Sequence, residues 1–305
     1  MSAGEPQPPR LIDAHHHLWD LGSMRYPWLQ DGPPVEEDRS GLAPIRKDYL
    51  VDAFRADAAD VALVGSVHVE AAHDPSCPVL ETQWLDRQAQ ATGLPTAIVA
   101  HARLEDARLA NVLEDHAHSP RLRGIRQMLN WEPDEPIAAR PDLLGDPAWE
   151  AGLDMLAERG LLFDLQVFPS QLRQAADVVE RHPEVTFVLN HGGYLQRRTP
   201  ERTRMWTEGI RRLGQLPNTA VKASSYASVE PSYSPDGLRR FLGELRSAFG
   251  PSRVLFGSNF PVDSRFIGYG EQVAAHARAV ADWDPADQDR YFFANATELY
   301  RLPSS

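Results

Sequence analysis

The chain has a single cysteine, Cys77, in 305 residues, so no disulfide can form within it and an oxidised scaffold is excluded. No apolar run approaches the ~20 residues of a membrane helix, and the polar, Pro-rich first ten residues hold no apolar stretch of the kind a secretory leader needs. Runs of Lys and Arg are also missing. With 31 Lys and Arg against 43 Asp and Glu the net charge is -12, which leaves no footprint for a nucleic-acid backbone. No Gly-rich phosphate loop follows the first apolar strand, which counts against a dinucleotide-binding fold. The expectation is a cytoplasmic protein with a small-molecule substrate, no nucleic-acid or membrane partner, and self-association into a homo-oligomer left open.

What the chain does have is alternation. Apolar, β-branched runs recur at Leu11 to Ala14, Val61 to Val69, Thr96 to Ala100, Leu122 to Arg126, Leu161 to Val167, Thr186 to Leu189, Thr219 to Ala223 and Val254 to Gly257. Several are apolar throughout, as in a parallel sheet with both faces covered. Helical periodicity fills the gaps at Val79 to Ala91, Pro147 to Arg159, Pro169 to Arg181, Pro200 to Gln215 and Ser234 to Phe249, with Pro near several of the starts. Eight strands with intervening helices in about 300 residues predict a (β/α)8 TIM barrel as a single domain, with a doubly wound open sheet as the rival. Residues 1–10 read as a flexible N-terminal arm and 11–302 as the barrel. Within it, 21–48 carries Pro27, Pro33, Pro34 and Pro44 without periodicity and reads as a lid loop, since Tyr26 and Trp28 are out of place in a disordered linker.

Polar side chains follow the apolar runs. His15 and His17 lie two apart after the first strand, so on extended backbone they point the same way and His16 points the other. Later strands end in His68 and Glu70, His101 and Arg103, Arg126 and Gln127, Asn190 and His191, Lys222 and Ser224, and Ser258 with Asn259 and Asp263; the fifth carries Asp164 and Gln166. In a barrel these positions converge at one end, where reactive groups gather.

Ile-Asp-x-His-x-His-x-Trp at 12 to 19, Tyr-Pro-Trp-Leu at 26 to 29, Glu-Thr-x-Trp-Leu at 81 to 85 and Gly-Ile-Arg at 124 to 126 form a pattern. It continues with Asn-His-Gly-Gly at 190 to 193, Val-Lys-x-Ser at 221 to 224, Phe-Gly-Ser-Asn-Phe-Pro-Val-Asp at 256 to 263 and Asn-Ala-x-x-Leu-Tyr at 295 to 300. This resembles the amidohydrolase-related group, which includes sugar lactonases such as L-fuconolactonase and L-rhamnonolactonase, and the pyrone-dicarboxylate lactonases. The resemblance implies a (β/α)8 barrel and hydrolysis of a lactone. Related lactonases read Gly-Ser-Asp-Trp-Pro after the eighth strand, whereas Asn259 stands at the aspartate's place here, and an amide cannot be a general base. Gln166 stands where metal-rich relatives carry His or a modified Lys, which speaks against a binuclear centre.

On this reading His15, His17, His191 and Asp263 are catalytic, with Asp263 as the base that takes a proton from water. The three histidines either hold a single Zn²⁺ or, without metal, polarise the lactone carbonyl; the cofactor is none or one zinc ion. Substrate contacts are Arg126, Lys222, Gln166, Asn259, Trp19 and His68. Arg126 either grips a substrate oxygen or pairs with Asp164 or Glu70; Lys222 either holds a substrate oxygen or anchors Glu70. Trp19, Trp28 and Tyr226 are expected as pocket walls and Asp13 as a group orienting a neighbour. His16, His116, His118, His182 and His276 are read as packing or surface residues. The rival functions are metal-dependent non-oxidative decarboxylation and a non-catalytic small-molecule-binding barrel.

Overall fold

The computed structural model describes residues 10–135, 137–138, 140–230 and 234–303. The expected arm, 1–10, therefore lies outside the described residues apart from Arg10. One sheet of eight strands runs in chain order, each strand parallel to the next. The strands are β1 (Arg10–His16), β2 (Ala62–Val69), β3 (Ala97–His101), β4 (Leu122–Met128), β5 (Leu162–Gln166), β6 (Phe187–Leu189), β7 (Thr219–Ala223) and β8 (Val254–Phe256). Each lies where the apolar runs place it, with ends moved by no more than two residues. β1 meets β8 through a bridge between His16 and Phe260. Two backbone bonds flank it, from His17 N to Phe260 O and from Asn259 N to His15 O, both 2.7 Å. The result is a (β/α)8 barrel in one domain.

The helices between the strands start on local signals. Asp146 accepts from Ala148 N at 2.8 Å ahead of Pro147–Glu158, and Ser234 accepts from Gly237 N at 3.0 Å ahead of Pro235–Phe249. Pro at the first position of each loses no helical hydrogen bond. The third expected helix begins as a 3₁₀ turn, Pro169–Gln171, before Leu172–Arg181. Phe54, Leu85, Leu153, Phe163, Val179, Ile210 and Leu242 fill the layer between helices and sheet; each such side chain contributes roughly 1.5–3 kcal/mol by leaving water.

A second cluster fills the barrel itself. Ile12, Val67, Val69, Ala97, Val99, Leu162, Val188, Ala220 and Leu255 pack there with the C-terminal residues Phe293, Ala296, Tyr300 and Leu302. Arg10, at the start of β1, sits 3.8 Å over the Phe293 ring, so this C-terminal segment closes the end where the strands begin. Further along, the same inward rows turn polar: Leu162 gives way to Asp164 and Gln166, Val188 to Asn190, and Ala220 to Lys222 and Ser224. The period of two therefore carries each polar group to the opposite end.

Leu21 to Asp48 crosses the loops that follow β2 and β8. Trp28 Nε1 donates to Ala71 O at 2.8 Å, Asp74 N to Arg25 O at 2.9 Å, and Arg265 to Gly41 O at 3.3 Å. Its ends are tied by Leu21 N to Asp48 at 2.8 Å and Trp19 Nε1 to Lys47 O at 2.7 Å.

Candidate active site

The β1–β2 register shifts between Asp13 and His16, and beyond it His15 and His17 face inward while His16 stacks outward on Phe54, ring centroids 4.2 Å apart and nearly parallel. The His15 ring lies 5.1 Å from His17 and 4.6 Å from His191. Gly257 makes room for it: a Cβ there would stand 2.8 Å from His15 Cβ. Asp13 fastens the seam, accepting from His15 N at 3.1 Å, Ser258 N at 2.9 Å, Ser258 Oγ at 2.6 Å and Tyr269 Oη at 3.1 Å. Burial raises its carboxyl to about 6 against the pull of those donors.

The three inward imidazoles are neutral. Burial lowers His17 to about 4, helped by the Arg126 charge, and holds His15 and His191 well below the ordinary histidine value. His17 Nδ1 must donate to Val69 O, 2.8 Å away, and its Nε2 lies 3.3 Å from the Asn259 side chain. His191 Nδ1 is 2.9 Å from Ser224 Oγ. Neither ring nitrogen of His15 has a partner although the residue is fully buried.

Beneath them lies a buried ion pair. Lys222 and Asp164, both without exposure, are hydrogen-bonded to each other. Asp164 also accepts from Asn190 Nδ2 at 3.0 Å, and the Lys222 ammonium stands 5.3 Å over the Tyr300 ring. Burial pulls the ammonium below its ordinary value while Asp164 opposes the shift. The expectation that Lys222 anchors Glu70 is corrected: the inward rows of β5 and β7 bring Asp164 to it instead, and Glu70 belongs to Arg126. Arg126 Nε donates to Glu70 Oε1 at 2.7 Å, Nη2 to Glu70 O at 2.5 Å and Nη1 to Gln166 Oε1 at 2.9 Å. Burial would raise the Glu70 carboxyl, but the guanidinium holds it below its ordinary value.

The chain beyond β8 doubles back, with Asn259 left-handed at φ 59° and Asp263 N bonded to Asn259 O at 3.0 Å. Asn259 Nδ2 donates to Asp263 Oδ1 at 2.8 Å and to Ser225 Oγ at 3.1 Å. Asp263 is fully buried and its Oδ2 has no partner. Burial raises this carboxyl to about 7, against hydrogen bonds from Asn259, Ser228 and Ser225.

Two expected substrate contacts lie apart from this group. His68 shares the β2 face of Ser66, opposite Val67 and Val69; its Nε2 is 3.3 Å from Leu18 O and its ring backs His16 at 5.7 Å. Trp19 is fully buried against Tyr26, Trp28 and Tyr49, its N–H spent on Lys47. Tyr226, expected as a wall, packs on Phe241 at 5.0 Å.

A zinc ion would draw on His15, His17 and His191. Among the described residues, however, the group of three His, Asp, Glu or Cys side chains whose ligand atoms lie within 4.8 Å of one another is Asp154, His182 and Glu184, away from these histidines. Three neutral imidazoles are donors a catalytic zinc accepts, but the ligand atoms of His15, His17 and His191 do not all lie within 4.8 Å of one another. The residues do not fit the ion closely.

Sequence reasoning missed Asn130 and Tyr194. The β4 alternation 126, 128, 130 points to the first, and the second directly follows the Asn-His-Gly-Gly motif.

Neutral imidazoles, a buried carboxyl near neutrality and a braced guanidinium gather at the ends of the barrel strands, where reactive groups sit in this fold. The chain belongs to the amidohydrolase family, whose model matches residues 12–302. It is 34% identical over 295 residues to the uncharacterized protein y4mH of Sinorhizobium fredii, spanning 96% of this chain and 98% of that one. It is also 27% identical over 303 residues to L-fucono-1,5-lactonase of Burkholderia multivorans, 96% of each. Among solved structures, an amidohydrolase from Burkholderia multivorans with bound zinc superposes at a TM-score of 0.81, 25% identical, over 96% of this chain and 99% of that one. No helix among the described residues is long and apolar enough to cross a membrane.

Proposed function

We propose that the protein opens a lactone ring by hydrolysis. The observation that carries this reading is the Asp263 carboxyl, buried, raised to about 7 and with Oδ2 free, on the turn that also brings Asn259 against His17. A base needs this poise near neutral pH. The similarity to L-fucono-1,5-lactonase supports the ring-opening reaction.

In the proposed steps, Asp263 takes a proton from water and the water oxygen bonds to the lactone carbonyl carbon. The carbonyl oxygen gains the electron pair and is met by the N–H of His15, by His191 and by the Arg126 donors that Glu70 and Gln166 leave free. The ring C–O bond then breaks, and the departing oxygen takes the proton from Asp263. Asn259 orients the water, Gln166 steadies Arg126, and 21–48 covers the mouth. Decarboxylation would call for a firmly held divalent ion, and the ligand atoms of His15, His17 and His191 are not gathered within 4.8 Å of one another to hold one.

Proton release in weak buffer against a panel of sugar, dicarboxylate and aromatic-pathway lactones tests the reading. Turnover of one member at kcat/KM above about 10⁴ M⁻¹s⁻¹, within the range of natural substrates, is expected. Silence across the panel would sink it.

A further inference from the structure

Metal-ligating side chains also gather at the end of the barrel away from the inward histidines. His182 and Glu184 sit in the turn between the helix Leu172–Arg181 and β6, where the strands begin, and Asp154 reaches them from the helix Pro147–Glu158. One ligand atom from each lies within 4.8 Å of the other two. Exposed acidic groups often stand together without an ion, so the informative member is the imidazole.

His182 is only 8% exposed, and its two nitrogens face acceptors on both sides. Nε2 lies 3.1 Å from Glu150 Oε1, a carboxylate gripped by Arg181 Nε at 2.6 Å and Nη2 at 3.0 Å, which can only accept. Nε2 therefore carries the proton, and in the neutral ring Nδ1 is a bare lone pair. That lone pair is aimed at two further acceptors, Asp154 Oδ1 at 3.5 Å and Glu184 Oε1 at 3.3 Å. Both separations exceed the roughly 2.7–3.2 Å of an ordinary N–H···O bond. They suit a shared ion: tetrahedral zinc with ligands at about 2.0–2.2 Å holds its donor atoms about 3.3–3.5 Å apart. Among the described residues neither Asp154 nor Glu184 pairs with a Lys or Arg.

The frame around these donors is set by the fold. Glu150 and Asp154 are four apart on one helix and so share a face. The turn that carries His182 and Glu184 is pinned by Asn218, whose Nδ2 reaches the carbonyls of Val179, His182 and Val185 at 3.2, 3.0 and 3.0 Å. Glu150 stands where a carboxylate commonly orients a metal-bound imidazole from behind.

We propose that Asp154, His182 and Glu184 bind a divalent transition-metal ion of the zinc type, with Glu150 orienting the imidazole and water completing the shell on the exposed side. One imidazole and two carboxylates are donors such an ion takes, and the two negative charges balance its own. The ion ties the helix Pro147–Glu158 to the turn before β6. It stands apart from the reacting groups, at the opposite end of the strands.

The test is titration of chelator-stripped protein with zinc, read by calorimetry and by melting temperature, for the wild type, His182→Gln, the double variant Asp154→Asn with Glu184→Gln, and Glu150→Gln. The wild type should bind zinc saturably and melt at a higher temperature with it. Glu150→Gln should weaken binding about tenfold, as loss of the group behind a ligand does, and the two ligand variants should weaken it further and lose the zinc-dependent rise in melting temperature. The double variant alters only exposed carboxylates, so it reads the site even where His182→Gln disturbs folding. No saturable binding by the wild type would overturn the site and leave His182 as an imidazolium among carboxylates. Equal binding by the wild type and the ligand variants would overturn it too, because the ion would then sit elsewhere.

Discussion

The barrel interior holds two polar layers built on opposite terms. In the lower one Asp164, Lys222, Asn190 and Tyr300 bond to one another and are closed from solvent, with Asn190 Oδ1 alone among their side-chain polar atoms left unpartnered. In the upper one His15 keeps two unpartnered nitrogens, Asp263 one unpartnered oxygen and Asn130 a whole unpartnered amide, at equal burial. Burying a polar atom without a partner costs about 1–3 kcal/mol. The lower layer bears that cost at one atom and joins β5, β6 and β7 through its bonds, whereas the upper layer bears it at several.

The largest effect should come from breaking the lower layer. Lys222→Met leaves the Asp164 carboxylate buried without its cation, a loss of roughly 3–5 kcal/mol in urea unfolding. The double variant Lys222→Met with Asp164→Leu should recover part of it, since apolar groups of similar volume replace a buried pair at little cost. A stable single variant would remove the distinction between the layers.

Next comes the upper layer, where activity and stability should part. Asp263→Asn is expected to lower kcat at least about a hundredfold, and to abolish the limb of the kcat/KM profile that rises with pH near 7. Its stability effect has the opposite sign. The folded carboxyl titrates near 7 against an ordinary 3.8, so the native state holds a proton the unfolded chain has released. The stability this gives is complete below about 3.8 and lost as pH rises through 7. Melting curves at pH 8 should therefore show Asp263→Asn no less stable than the wild type. Near-normal turnover would take Asp263 out of the chemistry.

The smallest effect tests the join between layers. Glu70→Gln keeps an oxygen for Arg126 Nε but frees its charge. It should lower kcat/KM on a neutral lactone about tenfold, the order of one lost charge-assisted hydrogen bond, and lower KM for a carboxylate-bearing one. Unchanged constants on both would show that the Glu70 pairing does not set the charge of the mouth.

Much of this was legible in the residue order. The strand positions followed from apolar runs, and the shared face of His15 and His17 with His16 reversed followed from the period of two, while the register shift after Asp13 decided that this face is the inward one. The identity of the partners was not. Lys222 and Asp164 are 58 positions apart, and only the closed sheet shows that Asp164, and not Glu70, meets the ammonium. The free state of Asn130 was hidden for the same reason, since a missing partner is a property of the neighbourhood. Tyr194 depends on a run of left-handed backbone that two glycines permit and no periodicity announces.

By itself the sequence determined the eight-strand alternation, the barrel it implies and the set of polar residues at the strand ends, because these rest on local periodicity and on side chains that alternate along a strand. The tertiary structure alone decided which of those polar groups are spent on one another and which are left without a partner. Partnership between strands is set by register and closure around the barrel, distances that no spacing along the chain records.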